Sequence, residues 1–251
     1  MKQSCEILNI KNLSVNIDNT PIINNLNLSI KSGEIHVIMG KNGSGKSTLA
    51  KVIAGHPQYH ISNGSIILNS IDITKQDPET RSHNGLFLGF QYPIEIPGVN
   101  NIDFLRLAYN SKKRSNSEEE LDPISFLNII NNRSNNLDLD QSFLARNVNE
   151  GFSGGEKKKN EILQMELLQP KLSILDEIDS GLDIDALKNI AYRIKQFSSI
   201  DNCIVLITHY QRLLNYIRPN YIHIMDKGNI IYTGDYETAN KIEKYGYDIF
   251  M

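Results

Sequence analysis

At 251 residues, with 40% hydrophobic and 22% charged side chains, the chain has the size and composition of one globular domain with two lobes rather than two independent domains. A formal net charge of -3 gives no electrostatic reason to expect nucleic acid or an anionic membrane as a partner. Cys5 and Cys203 lie far apart and form no C-x-x-C pair, so neither a zinc site nor a self-held iron–sulfur cluster is expected, and a reducing compartment is. No apolar run approaches the ~20 residues that cross a bilayer, so no direct membrane insertion is expected.

Residues 7–30 alternate apolar and polar positions, interrupted by Asp18-Asn19 and Pro21, which predicts an N-terminal antiparallel β meander. After the turn Lys31-Ser32-Gly33-Glu34, Ile35–Met39 is a short apolar run suited to a strand buried on both faces, and similar runs follow at 86–90, 172–175 and Cys203–Ile207. Helical patterns at 46–54, 156–168 and 185–197 lie between them, so a parallel α/β core is predicted over 1–97 and 171–251. About 98–170 reads as an inserted helical lobe, with amphipathic helices at 102–109 and 124–130 separated by a charged tract, 111–120, read as a solvated loop.

The first chemical motif follows the Ile35–Met39 run. Gly40-Lys41-Asn42-Gly43-Ser44-Gly45-Lys46-Ser47, with Thr48 after it, fits G-x-x-x-x-G-K-[ST] at every fixed position. The glycines let backbone N–H groups wrap phosphates at the positive end of the next helix. Lys46 then reaches the β- and γ-phosphates of ATP, and Ser47 offers a hydroxyl to Mg²⁺. Further on, Gly151-Phe152-Ser153-Gly154-Gly155-Glu156 opens a helix that stops at Pro170, and Ser153, Gly154 and Gly155 form a second helix-end anion site. The apolar run 172–175 ends in Asp176 and Glu177. Asp176 is placed to reach Mg²⁺ and Glu177 to polarise an attacking water as general base. His56 and His60, with Pro57 between them, do not share a helix face and are no metal pair, and His36, His223 and Cys203 sit in strand-like runs as structural residues.

Together these motifs resemble the ABC ATPase family, whose signature is Leu-Ser-Gly-Gly-Gln. The resemblance implies that two copies meet head to tail in a transient ATP-dependent homodimer, each signature capping the ATP on the other's phosphate loop. It also implies that Gln91 senses Mg²⁺ and the attacking water, that Ser180-Gly181-Leu182-Asp183 lies across the dimer interface, and that His209 contacts the γ-phosphate. The sequence departs from the family pattern at Ile17, where an aromatic usually stacks on adenine, so ATP and GTP are expected to bind with similar strength. It also departs at Phe152 and Glu156 in the signature, followed by Lys157-Lys158-Lys159.

Those departures resemble the SufC-type ATPases of the SUF iron–sulfur cluster assembly machinery. The likeness rests further on Gln91-Tyr92-Pro93-Ile94-Glu95-Ile96-Pro97-Gly98-Val99 and on Asp176-Glu177-Ile178-Asp179-Ser180-Gly181-Leu182-Asp183-Ile184-Asp185-Ala186-Leu187. It implies an ATPase working with SufB- and SufD-like scaffold proteins, on which the cluster would form. The ATPase subunit of a membrane importer and a non-hydrolysing scaffold are the rivals. Met1-Lys2-Gln3-Ser4 begins no signal-peptide core, and Asn and Ile are heavily used. Both features suit a plastid (apicoplast-like) stroma with a transit peptide removed, or a bacterial cytoplasm.

Overall fold

The computed structural model describes residues 5–18, 20–137, 139–209 and 211–251. Asn19 and the leader reading at residues 1–4 lie outside them. The backbone separates into two compact units, Met1–Phe90 with Pro170–Asp179 and Ser198–Met251, and Gln91–Gln169 with Ser180–Phe197.

The first unit contains two sheets. In one, the strands Glu6–Ile17 and Thr20–Lys31 pair antiparallel, Leu8 opposite Ile30 and Ile10 opposite Leu28. Leu8, Ile10, Leu13 and Val15 are all buried although Ile10 and Leu13 differ in parity. Asn12, at φ 50, absorbs the odd step, since asparagine tolerates the left-handed region, and its N–H bonds Asn27 Oδ1 at 2.9 Å. This meander was expected. Two further strands of the sheet, His60–Leu68 and Ile71–Asp72, were not, because 60–65 carries mostly half-buried and exposed side chains and no clean alternation.

The other sheet runs in the order Asn229–Gly234, Tyr221–Asp226, Ile35–Met39, Cys203–Ile207, Leu172–Asp176, Leu86–Gly89. The last five are parallel and the Asn229–Gly234 edge is antiparallel. Four of the six strands match the apolar runs. The strand Tyr221–Asp226 matches the strand-like run expected around His223; its antiparallel partner Asn229–Gly234 was not expected. The helix Lys46–Ile53 follows the central strand and buries Leu49, Ala50, Val52 and Ile53 in a core shared with Ile38, Ile174, Val205 and Met225.

The second unit is mostly helical: Asn101–Ser115, Pro123–Asn136, Ser142–Ala145, Gly154–Leu168 and Ile184–Phe197, with a short antiparallel ladder between Ile96–Asn100 and Asn147–Val148. Asn100 and Asp122 cap the first two helices by accepting from Ile102 N–H and from Ile124 and Ser125 N–H. The charged tract read as a loop is helical up to Ser115. Lys112, Lys113 and Arg114 sit in that helix's last turn, where cations complement the dipole, and Lys112 Nζ donates to the Leu168 and Gln169 carbonyls. Arg193 clasps Glu166 through two bonds of 2.7 and 2.6 Å, joining the helices Gly154–Leu168 and Ile184–Phe197.

Candidate active site

Ile35–Met39, Cys203–Ile207 and Leu172–Asp176 are adjacent parallel strands, so the loops leaving their C-terminal ends converge. Those ends deliver Gly40, His209 and the Asp176-Glu177 pair to one edge of the sheet, where ligands of open α/β sheets bind. The first loop runs from Gly40 to Gly45 and enters the helix at Lys46. A Cβ at Gly40 would lie 2.1 Å from the Met225 carbonyl oxygen, and Gly45 holds φ 106, so the path of this loop requires glycine at both.

Lys46 is 5% exposed and its Nζ donates to the Gly40 carbonyl at 2.9 Å and the Lys41 carbonyl at 3.0 Å. Burial holds its ammonium below the usual lysine range, while the nearby carboxylates of Glu177 and Asp176 pull it back up. The ammonium thus sits inside its own loop, facing two acids. Asp176 is 3% exposed at the end of its strand. Glu177 follows with φ 47, its N–H bonded to the Ile207 carbonyl at 2.8 Å and its Oε1 2.7 Å from His209 Nε2.

Behind this pair lies a contact that sequence reasoning missed. Thr208 Oγ1 donates to Asp179 Oδ2 at 2.7 Å, and both residues are buried. Burial raises the Asp179 carboxyl against the lowering effect of that bond. The bond joins the loop after Asp176 to the strand end that carries His209. Asp179 lies within the motif Asp176-Glu177-Ile178-Asp179, so its position was visible and its partner was not.

Gln91, Ser153, Gly154 and Gly155 belong to the second unit. Ser153 forms a full capping box with Glu156: its Oγ accepts from Glu156 N–H, and Ser153 N–H donates to Glu156 Oε2 at 2.7 Å. The glutamate in place of the signature's glutamine therefore completes a helix start. Lys157 pairs with Glu95 at 2.7 Å, and Lys158 donates to the Gln91 carbonyl at 2.9 Å and lies 3.5 Å from Glu161. Ile17, which the resemblance aligns with the family's adenine-stacking aromatic, is half-buried at the end of the strand Glu6–Ile17.

Comparison with known proteins identifies the family. The family model described as ABC transporter matches residues 23–180. A protein of Antithamnion sp. named "Probable ATP-dependent transporter ycf16" is 67% identical over 96% of this chain and 96% of its own length. "ABC transporter I family member 6, chloroplastic" of Arabidopsis thaliana is 51% identical over 90% of this chain and 67% of its own. Among solved structures, the dimeric post-hydrolysis state of an ATP-binding cassette bound to ADP and Pi superposes with a TM-score of 0.79 at 20% identity, covering 91% of this chain and 98% of that one. The chain belongs to the ABC transporter family and is an ATPase of that family.

Proposed function

We propose that the whole chain is a single ABC ATPase domain with its helical lobe at about 98–170, and that it hydrolyses ATP to drive iron–sulfur cluster assembly with SufB- and SufD-like scaffold partners. The observation that carries the chemistry is the convergence at one sheet edge: Lys46 in its loop, Asp176 beside it, and Glu177 held by His209. Gly40, Lys41, Asn42, Gly43, Ser44, Gly45, Lys46, Ser47 and Thr48 bind the phosphates, and Ser153, Gly154 and Gly155 of a second copy close the site.

The donor set fits Mg²⁺. No group of three or more His, Cys, Asp or Glu side chains among the described residues could cage a metal. Magnesium in such sites takes only one or two protein oxygens, the rest coming from phosphate and water. Ser47 and Asp176 would supply those oxygens, and the ion, when bound, would neutralise charge on the phosphates. Glu177 then takes the proton from the attacking water, and His209 fixes the carboxylate and meets the γ-phosphate.

The assembly role is supported by the motifs shared with SufC-type ATPases, the stretches Gln91–Val99 and Asp176–Leu187. The chloroplastic relative supports a plastid location, and the Synechocystis relative, 54% identical, supports a bacterial cytoplasm as the alternative. The relatives' names favour a second reading, the ATPase subunit of a membrane transporter. Affinity purification of the full chain from its native source decides between them. Recovery of soluble β-rich scaffold proteins supports assembly; recovery of a protein with many membrane spans supports transport and removes the first reading. Phosphate release by the purified chain, lost on Glu177→Gln, tests the chemistry common to both.

A further inference from the structure

The chain's last turn lies against the phosphate loop. Helix Glu237–Tyr245 ends at Gly246, whose φ of 74 reverses the chain into the turn Tyr247–Phe250. The Phe250 ring packs on Tyr232, centroids 4.7 Å apart. Asp248 Oδ1 accepts from Lys41 Nζ at 2.7 Å. Tyr247 is half-buried beside the loop: burial raises its phenol above the ordinary range, and the Gly40 backbone partly offsets this. The same helix is tied elsewhere: Gln211, two residues past His209, donates from Nε2 to Asn240 Oδ1 at 2.7 Å.

We propose that Tyr247 and Asp248 are positioning residues for the phosphate loop: the C-terminal turn is a strap that holds Gly40 and Lys41 in the nucleotide-ready shape and anchors them to the segment after His209. This rests on the reading of Gly40 to Thr48 as the nucleotide cradle. A glycine-rich loop is the most freely moving kind of backbone, and its N–H groups bind phosphate well only when they converge. Holding the loop before the ligand arrives removes part of the ordering cost from the binding step. The strap meets the loop at two successive residues: Asp248 holds Lys41 through charge, and the half-buried Tyr247 lies by the Gly40 backbone.

The test uses the full chain and its variants Asp248→Ala, Asp248→Glu, Tyr247→Phe, Lys41→Gln and the Asp248→Ala/Lys41→Gln double. Three quantities are measured: ATP and ADP dissociation constants by calorimetry, KM and kcat, and amide hydrogen exchange of residues 40–45 without nucleotide. Asp248→Ala should weaken ATP binding and raise KM about two- to fivefold, which is under about 1 kcal/mol, with kcat within about twofold. Exchange at 40–45 should quicken while the melting temperature barely moves, since the pair is solvent-exposed. Asp248→Glu should restore most of the affinity, Tyr247→Phe should quicken exchange at residue 40, and the double variant should be no worse than its weaker parent. Unchanged affinity and exchange in Asp248→Ala would overturn the strap. So would tighter ATP binding, which would make Asp248 a competitor of phosphate. If the unmutated chain bound neither ATP nor ADP, the nucleotide reading would fail separately, and the exchange data would still judge the strap.

Discussion

Glu177 holds a left-handed backbone, φ 47, where a glutamate settles only if its surroundings impose the conformation. The hydrogen bond from its N–H to the Ile207 carbonyl and the pair with His209 impose it. Glu177→Gln keeps size and removes the proposed base, so hydrolysis should fall at least about a hundredfold while ATP affinity stays within about threefold. Lys46→Ala should instead weaken nucleotide binding itself; a phosphate-release assay beside a binding titration separates the two. The types and spacing of these residues were legible in the sequence. The backbone state of Glu177 was not, because a neighbouring strand sets it. Two histidines read as structural show more. His36 Nδ1 lies 2.8 Å from His223 Nε2, His36 Nε2 3.0 Å from Glu34 Oε2, and His223 Nδ1 2.8 Å from Thr233 Oγ1. Burial pushes both pKa values down, His223 to about 3, and Glu34 partly offsets this for His36. An unfolded histidine titrates near 6.5, so below that pH the unfolded chain takes up protons that the folded chain refuses. Stability is therefore full above about pH 6.5 and falls as pH drops towards 3, by about 2 kcal/mol between pH 7 and pH 5 from His223 alone. Urea midpoints across that window should show this slope for the unmutated chain and a flatter one for His223→Gln.

The helix that presents Lys46 depends at its far end on a side chain with no visible motif. Arg81 is 2% exposed and donates to the Val52 and Ile53 carbonyls at 2.8 and 2.9 Å, to Gln76 at 2.9 Å and to Thr74 at 3.0 Å. A cation at the negative end of the helix Lys46–Ile53 also complements its dipole. Arg81→Leu would strand four carbonyls and should lower stability by about 3 kcal/mol, read from the urea midpoint. Arg81→Lys should recover little of it, because an ammonium cannot fork to four acceptors. Local chemistry at helix starts was easier to read. Ser153 with Glu156 spells a capping box, and the helix begins where that pair places it. An arginine in the short helix Pro78–His83 looks like any solvated residue, and only the tertiary fold turns it inward. The same distinction holds in the sheet: Cys203–Ile207 and the run around His223 were legible as strands, but the contact of His223 with His36 was not.

For the whole molecule the question is how one copy becomes active. The phosphate loop, Asp176, Glu177 and His209 belong to the first unit, and Ser153, Gly154 and Gly155 to the second. On the head-to-tail reading, a complete site takes the latter from another copy. Bringing two copies together costs translational and rotational freedom and desolvates polar and charged groups around the phosphates, and ATP bridging returns only part of that. The isolated chain should therefore be mainly monomeric and a slow ATPase. A scaffold that binds two copies makes their encounter intramolecular, raising the effective concentration to the millimolar range if the geometry allows it, and shifts the population to the closed pair. Lys157 and Lys158 have partners within their own unit, Glu95 for the first and Glu161 and the Gln91 carbonyl for the second. Those pairings leave the entropy of association and the desolvation of the phosphate-facing groups as the costs of closure. Mass by light scattering and ATPase rate, each with and without a co-expressed SufB–SufD-type complex, test this. The rate per subunit should rise at least about tenfold with the complex and be concentration-dependent without it. Glu177→Gln should accumulate as an ATP-bound pair on the scaffold, since the closed state forms and cannot discharge. A tight nucleotide-free dimer, or a rate indifferent to the complex, would show that closure is not the step the partners control.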